Sequence, residues 1–122
     1  SQAAFTHDGL EIAFIAGGDL WVMDTELREP RRVTTSPEEE SSPVFAPEGE
    51  SILFISLAGG KCNIVRAERG DKNKYWFQNQ KFPLTPITSD GAAKSRLTWS
   101  PDGSHAAYPG GWFHPGRTVG RP

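Results

Sequence analysis

The stretch Leu97-Thr98-Trp99-Ser100-Pro101-Asp102-Gly103-Ser104-His105-Ala106-Ala107-Tyr108 reads as an aromatic, a turn cluster ending in glycine, and an apolar run. The same order of residue types stands twice upstream. One copy is Pro43-Val44-Phe45-Ala46-Pro47-Glu48-Gly49-Glu50-Ser51-Ile52-Leu53-Phe54. The other is Ala3-Ala4-Phe5-Thr6-His7-Asp8-Gly9-Leu10-Glu11-Ile12-Ala13-Phe14. The turn chemistry is explicit in the third copy. Pro101 presets φ at the first corner, Asp102 accepts local main-chain hydrogen bonds, and Gly103 tolerates positive φ. The aromatic before each turn (Phe5, Phe45 or Trp99) is expected to end a first strand as a buried ring.

Spacing tests whether these are copies of one unit. Gly9 to Gly49 is 40 residues and Gly49 to Gly103 is 54. Val33 to Pro47 and Ile87 to Pro101 are both 14. The extra residues therefore fall earlier in the second unit. Aligning Leu20-Trp21-Val22-Met23-Asp24 with Ile64-Val65-Arg66-Ala67-Glu68 puts four of them at the Gly59-Gly60 turn and ten in the loop 69–83. Within a unit, a second strand is expected at 12–16, 52–56 and 105–108. A glycine hairpin follows at Gly17-Gly18 or Gly59-Gly60. A third strand is expected at 19–24 or 63–68, and a fourth at 31–34 or 86–88. Four short antiparallel strands repeating at about 40 residues is the pattern of a β-propeller blade. The expected fold is all-β, with about two and a half blades forming an incomplete propeller. Blade one spans 3–36, blade two spans 43–90 with an insertion at 69–83, and a half blade spans 95–108. A Gly/Pro-rich tail covers 109–122. No stretch has a helical period; the best candidate, 38–42, lies between Pro37 and Pro43.

Composition agrees. The chain has 122 residues, 36% of them hydrophobic, with 13 glycines and 10 prolines, which suits one turn-rich domain of short strands. A net charge of −2 argues against nucleic acid as a partner. No apolar run approaches the roughly 18 residues of a membrane helix, so no membrane insertion is expected. No leader is read in the first residues. Cys62 stands alone, which excludes an internal disulfide and a cysteine-rich metal site.

The motifs "FTHDGLEIAF", "GGDLWVMD", "RRVTT", "PVFAPEG" and "LTWSPDGSHAAY" resemble the TolB-like or PD40 (WD40-like) propeller repeat. That repeat reads FSPDGxxIAF, DIWxxD and RLT. The resemblance covers residues 3–108. Thr6-His7 replaces Ser-Pro in the first copy, and Glu48 replaces Asp in the second. Such propellers occur in TolB translocation proteins, in tricorn-type proteases of the S41 class, and in the prolyl oligopeptidase and dipeptidyl-peptidase group. The wording "GGDLWVMDTELREPRRVTTSPEEESSPVFAPEG", with the aromatic insertion "KYWFQNQKFPLTPIT", is most similar to the propeller of a bacterial tricorn-like protease. That resemblance implies a non-catalytic segment that filters or guides peptides for a catalytic domain elsewhere. The alternative it leaves is the propeller of a TolB-type exported adaptor that binds protein partners. Both imply a periplasmic or extracellular location.

The chemistry-bearing residues are few. There is no G-x-S-x-G elbow, H-E-x-x-H or P-loop, so no catalytic residue is assigned. His7, His105 and His114 read as turn residues, and no metal or cofactor is expected. Ser100 and Ser104 lack a positioned base. Glu38, Glu39 and Glu40 form an acidic run between blades. It is either a solvated connector or a rim that attracts cationic peptide segments or ions. Arg28, Arg31 and Arg32 lie close by in sequence. Tyr75, Trp76, Phe77 and Phe82 put four aromatics within eight residues of a loop. They serve either as packing on the parent blade or as a partner-binding edge. Phe5, Gly9, Trp21, Phe45, Gly49, Trp99, Pro101, Asp102 and Gly103 are read as structural positions of the repeat.

A closed propeller needs about four to eight blades. Two and a half leave apolar faces and strand edges without neighbours. The expected partners are therefore protein or peptide. The chain is expected to be a fragment whose faces are covered by the remaining blades of the parent chain or by self-association.

Overall fold

In the computed structural model the described residues are 2–35, 37–88, 97–100, 105–108 and 111–113, with the backbone alone at 99, 108 and 111–113. The turn Pro101-Asp102-Gly103, Ser104, His114 and the side chain of Trp99 lie outside this description. The described residues form strands grouped in three antiparallel sheets, and no α-helix. The first sheet is β1 (Ala3–Phe5), β2 (Glu11–Ala16), β3 (Asp19–Asp24) and β4 (Pro30–Arg32), paired in chain order. The second is β5 (Glu39–Phe45), β6 (Ser51–Ala58), β7 (Lys61–Glu68) and β8 (Leu84–Pro86), again in chain order. The third runs β9 (Thr98–Trp99), β10 (Ala106–Tyr108) and β11 (Gly111–Phe113).

The first two sheets share their pairing register at the matched positions. Phe5 opposes Ile12 as Phe45 opposes Ile52. Ile15 opposes Leu20 as Ile55 opposes Ile64, and Glu11 opposes Asp24 as Ser51 opposes Glu68. The turns repeat as well. Thr6 N–H donates to Glu11 O and Gly9 N–H to Thr6 O; Ala46 N–H donates to Ser51 O and Gly49 N–H to Ala46 O. Gly9 and Gly49 both take positive φ, 74° and 75°, which is why the cluster ends in glycine. Ser100 N–H donates to His105 O at 2.9 Å, the same bond in the third copy. The threonines of "RRVTT" and "TPIT" also share a task. The Leu20 N–H donates to Thr34 Oγ1 and the Ile64 N–H to Thr88 Oγ1, each at 2.9 Å.

The sheets stack face to face. Ala13, Leu20, Val22 and Val33 of the first unit form one core with Phe45, Ile52, Phe54 and Ala67 of the second. The opposite face of the second sheet, Leu53, Ile55 and Ile64, packs on Leu97 and Ala106. Both faces of β6 are thus covered. This explains why Ile52-Leu53-Phe54-Ile55 is continuously apolar where a half-exposed strand would alternate. Burying each such side chain contributes about 1.5–3 kcal/mol.

Three expectations need correction. Phe5 is 60% exposed, whereas Phe45 in the same register is 8% exposed. Phe45 is covered by the first sheet, while among the described residues no sheet lies on the matching face of Phe5. Glu39 and Glu40 are not a connector but the start of β5, and Glu40 is buried with its carboxylate accepting the Thr34 hydroxyl at 2.8 Å. The segment read as a tail supplies a strand, because Gly111–Phe113 pairs with β10. In β5 the register slips between Ser41 and Val44, where Ser42 takes φ 54°. The bulge gives Pro43, which has no N–H, a place within a strand.

Candidate functional site

The insertion between β7 and β8 is closed at its neck by two bonds, Glu68 N–H to Pro83 O at 3.0 Å and Gly70 N–H to Lys81 O at 2.9 Å. Its backbone is organised by buried Asn79. That side chain accepts the Asp71 N–H at 2.7 Å and donates to Asp71 O and Tyr75 O. Tyr75 N–H donates to Gln78 Oε1 and Gln78 N–H to Tyr75 O, closing a single 3-10 turn over Trp76–Gln78. The loop is thus held by its own polar groups, in the manner of a compact Ω-type loop.

Its aromatics divide into two pairs. Trp76 is 1% exposed, stands edge-on to Phe45, stacks on Phe82 at 5.9 Å, and donates its indole N–H to Gly49 O at 2.9 Å. Trp76 and Phe82 therefore fill the core beneath the turn of their own blade. Tyr75 is 51% exposed and stacks on half-buried Phe77, with centroids 6.2 Å apart. The main chain of Phe77 is gripped by the first sheet. Its N–H donates to Glu11 Oε2 at 3.2 Å, and its carbonyl accepts from Arg31 Nε at 3.3 Å. Two oppositely charged side chains of one sheet hold both polar groups of one residue in the next sheet's insertion.

Two clefts open where this insertion meets the turns. One of about 270 Å³ lies between the insertion and the β3–β4 loop, walled by Glu11, Asp24, Leu27, Tyr75 and Phe77. The other, of about 470 Å³, lies between the two equivalent turns and includes His7, Asp8, Glu48 and Arg69. Glu11 and Tyr75 belong to both. Glu11 is 5% exposed, and burial pushes its carboxyl above the ordinary value against the opposing pull of the Phe77 and Trp76 N–H groups and the Arg69 charge. The Leu10 N–H and the Thr6 hydroxyl hold Asp8 below its ordinary value. Burial opposes the Asp24 charge, but the N–H groups of Leu27 and Glu29 outweigh it and hold that carboxyl low.

The acidic run lies elsewhere. Glu40 N–H donates to Gly18 O, at the other end of β2 from Glu11. Glu39 and Glu40 line a separate cavity of about 350 Å³ with Gly18 and Cys62. The fold does not bring that run to the aromatic insertion. Glu11, Asp24 and Glu26 do meet the insertion, and they were not singled out from sequence. The available signal was Glu11 itself, a carboxylate where the matched position of the second unit is Ser51. Among the described residues no cluster of His, Cys, Asp and Glu has the arrangement of a metal site. No helix among them is long and apolar enough to cross a membrane.

No family model matches the chain. Over 76 residues it is 39% identical to a Bacillus subtilis (strain 168) protein named uncharacterized peptidase YuxL, a match covering 58% of this chain and 12% of that protein. Its structure is similar to the crystal structure of TolB from Acinetobacter baumannii, with a TM-score of 0.66 and 25% identity, over 98% of this chain and 27% of that one. The chain thus spans a small part of each, and its fold is that of a TolB-like β-propeller segment.

Proposed function

We propose that this chain is a non-catalytic interaction segment of a β-propeller, whose parent is a peptidase of the tricorn-like kind. In this reading the propeller guides peptides, and a catalytic domain elsewhere in the parent cleaves them. The similarity to a named peptidase, in a chain whose described residues are propeller sheets, carries the proposal. The blades are assigned to 3–36, 43–90 and 95–108, with exposed Tyr75 and half-buried Phe77 as the aromatics of the contact edge. Glu38 and Glu39 remain a separate acidic rim at the opposite end. Protein or peptide is the partner, and a periplasmic or extracellular location accompanies the reading.

The likeness to TolB favours a second reading, a propeller of an exported adaptor that binds protein partners without any protease. The parent reading frame separates the two. A PDZ segment and a serine protease domain support the first, and an N-terminal α/β domain supports the second. The non-catalytic role is tested by incubating the chain with a mixed peptide pool and following it by mass spectrometry. Intact peptides retained on the immobilised chain are expected; hydrolysis by the chain itself overturns the proposal.

A further inference from the structure

Glu11 is a buried carboxylate with no ion-pair contact among the described residues, Arg69 acting on it only at longer range from the neighbouring cleft. One oxygen accepts the Phe77 N–H, and the side chain walls the cleft of about 270 Å³. Asp24 lines the same cleft, its oxygens accepting the N–H groups of Leu27 and Glu29, and adds negative charge there. Exposed Glu26 completes a wall that carries carboxylates and no Lys or Arg. The stacked rings of Tyr75 and Phe77 and exposed Leu27 line the same cleft. Carboxylates and aromatic rings in one cleft are the chemistry that recognises a cation on an apolar stem. The cleft is smaller than the roughly 300–1,000 Å³ typical of drug-sized sites, a size that suits one long side chain.

We propose that this cleft takes a single lysine or arginine side chain of a bound peptide, its cation against Glu11 and Glu26 and its stem along Tyr75, Phe77 and Leu27. This rests on the reading of the chain as a peptide-interaction segment and adds what that segment selects. A norleucine in the same place would leave a buried carboxylate facing hydrocarbon. Discrimination therefore comes from charge and ring together.

The test uses the 122-residue chain and three probes: acetyl-Leu-Lys-Leu-amide, the same peptide with norleucine, and n-butylammonium. Binding is followed by calorimetry and by chemical shifts of the Tyr75 ring. The lysine peptide is expected to bind about tenfold more tightly than the norleucine peptide and than n-butylammonium. Tyr75→Ala and Glu26→Gln change exposed side chains, and each is expected to weaken lysine-peptide binding about threefold with the circular dichroism unchanged. Equal binding of the two peptides, binding indifferent to both variants, or no binding at millimolar peptide overturns the inference. So does n-butylammonium binding as tightly as the peptide. Mass spectrometry of the same samples keeps the two readings apart. Peptide cleaved by the chain overturns the non-catalytic reading, whereas intact peptide that fails to bind overturns the lysine pocket alone.

Discussion

The indole of Trp76 stands edge-on to the ring of Phe45, at 71° with centroids 6.0 Å apart. A residue of the loop insertion thereby covers the aromatic that ends the first strand of its own blade. The insertion is part of the core at one pair of aromatics and part of the surface at the other.

Trp76→Ala is accordingly expected to destabilise the chain by about 3–5 kcal/mol, as removal of a buried Trp does. Tyr75→Ala is expected to stay within about 0.5 kcal/mol of the parent. Urea denaturation of the two variants decides the matter. Equal midpoints would mean that the insertion does not pack as described.

Glu11 predicts a pH dependence with a definite sign. Its folded carboxyl titrates above the ordinary value of 4.5, so the folded state binds more protons than the unfolded state in that window. Stability is then present below 4.5 and falls as pH rises from there through the folded pKa. Asp8 and Asp24 are shifted the other way and lose stability only as pH falls. In Glu11→Gln the decline on the alkaline side of 4.5 is expected to disappear, while the acid limb remains. Parallel stability curves for parent and variant between about pH 4 and pH 7 would contradict this account of the buried carboxylate.

Gly70 predicts a local effect. A Cβ there would stand 2.8 Å from the Lys81 carbonyl oxygen, a backbone atom at the neck of the insertion. Gly70→Ala should cost about 1–3 kcal/mol and open the loop to protease. Gly59→Ala meets no atom and suffers only the strain of its φ of +60°, about 1 kcal/mol, leaving the insertion closed. Limited proteolysis that cuts both variants alike would contradict the assigned neck.

The fold was legible because its signals are local. Turn glycines, the 14-residue register and the matched "DLWVMD" and "NIVRAE" runs each need only short-range chemistry; the structure reproduces the turns at Gly9 and Gly49 and the matched runs. What was illegible depends on neighbours. Phe5 and Phe45 look alike in sequence, and only the sheet lying on one of them tells them apart. Glu40 reads as solvated until Thr34 caps it. Glu11 joins the site through Phe77, 66 residues away, and no spacing within one unit reports that.

The central claim is that these sheets are propeller blades, each needing a neighbour on both faces. The outer face of the first sheet carries Phe5 with half-buried Phe14 and Trp21 stacked beside Arg32. The most direct test is the mass of the chain by light scattering coupled to size-exclusion chromatography, for the parent and for Phe5→Lys. The account predicts a discrete oligomer for the parent and a shift toward monomer for Phe5→Lys, with the same circular dichroism. A folded parent that stays monomeric at about 100 μM, where micromolar contacts would populate a dimer, would contradict it.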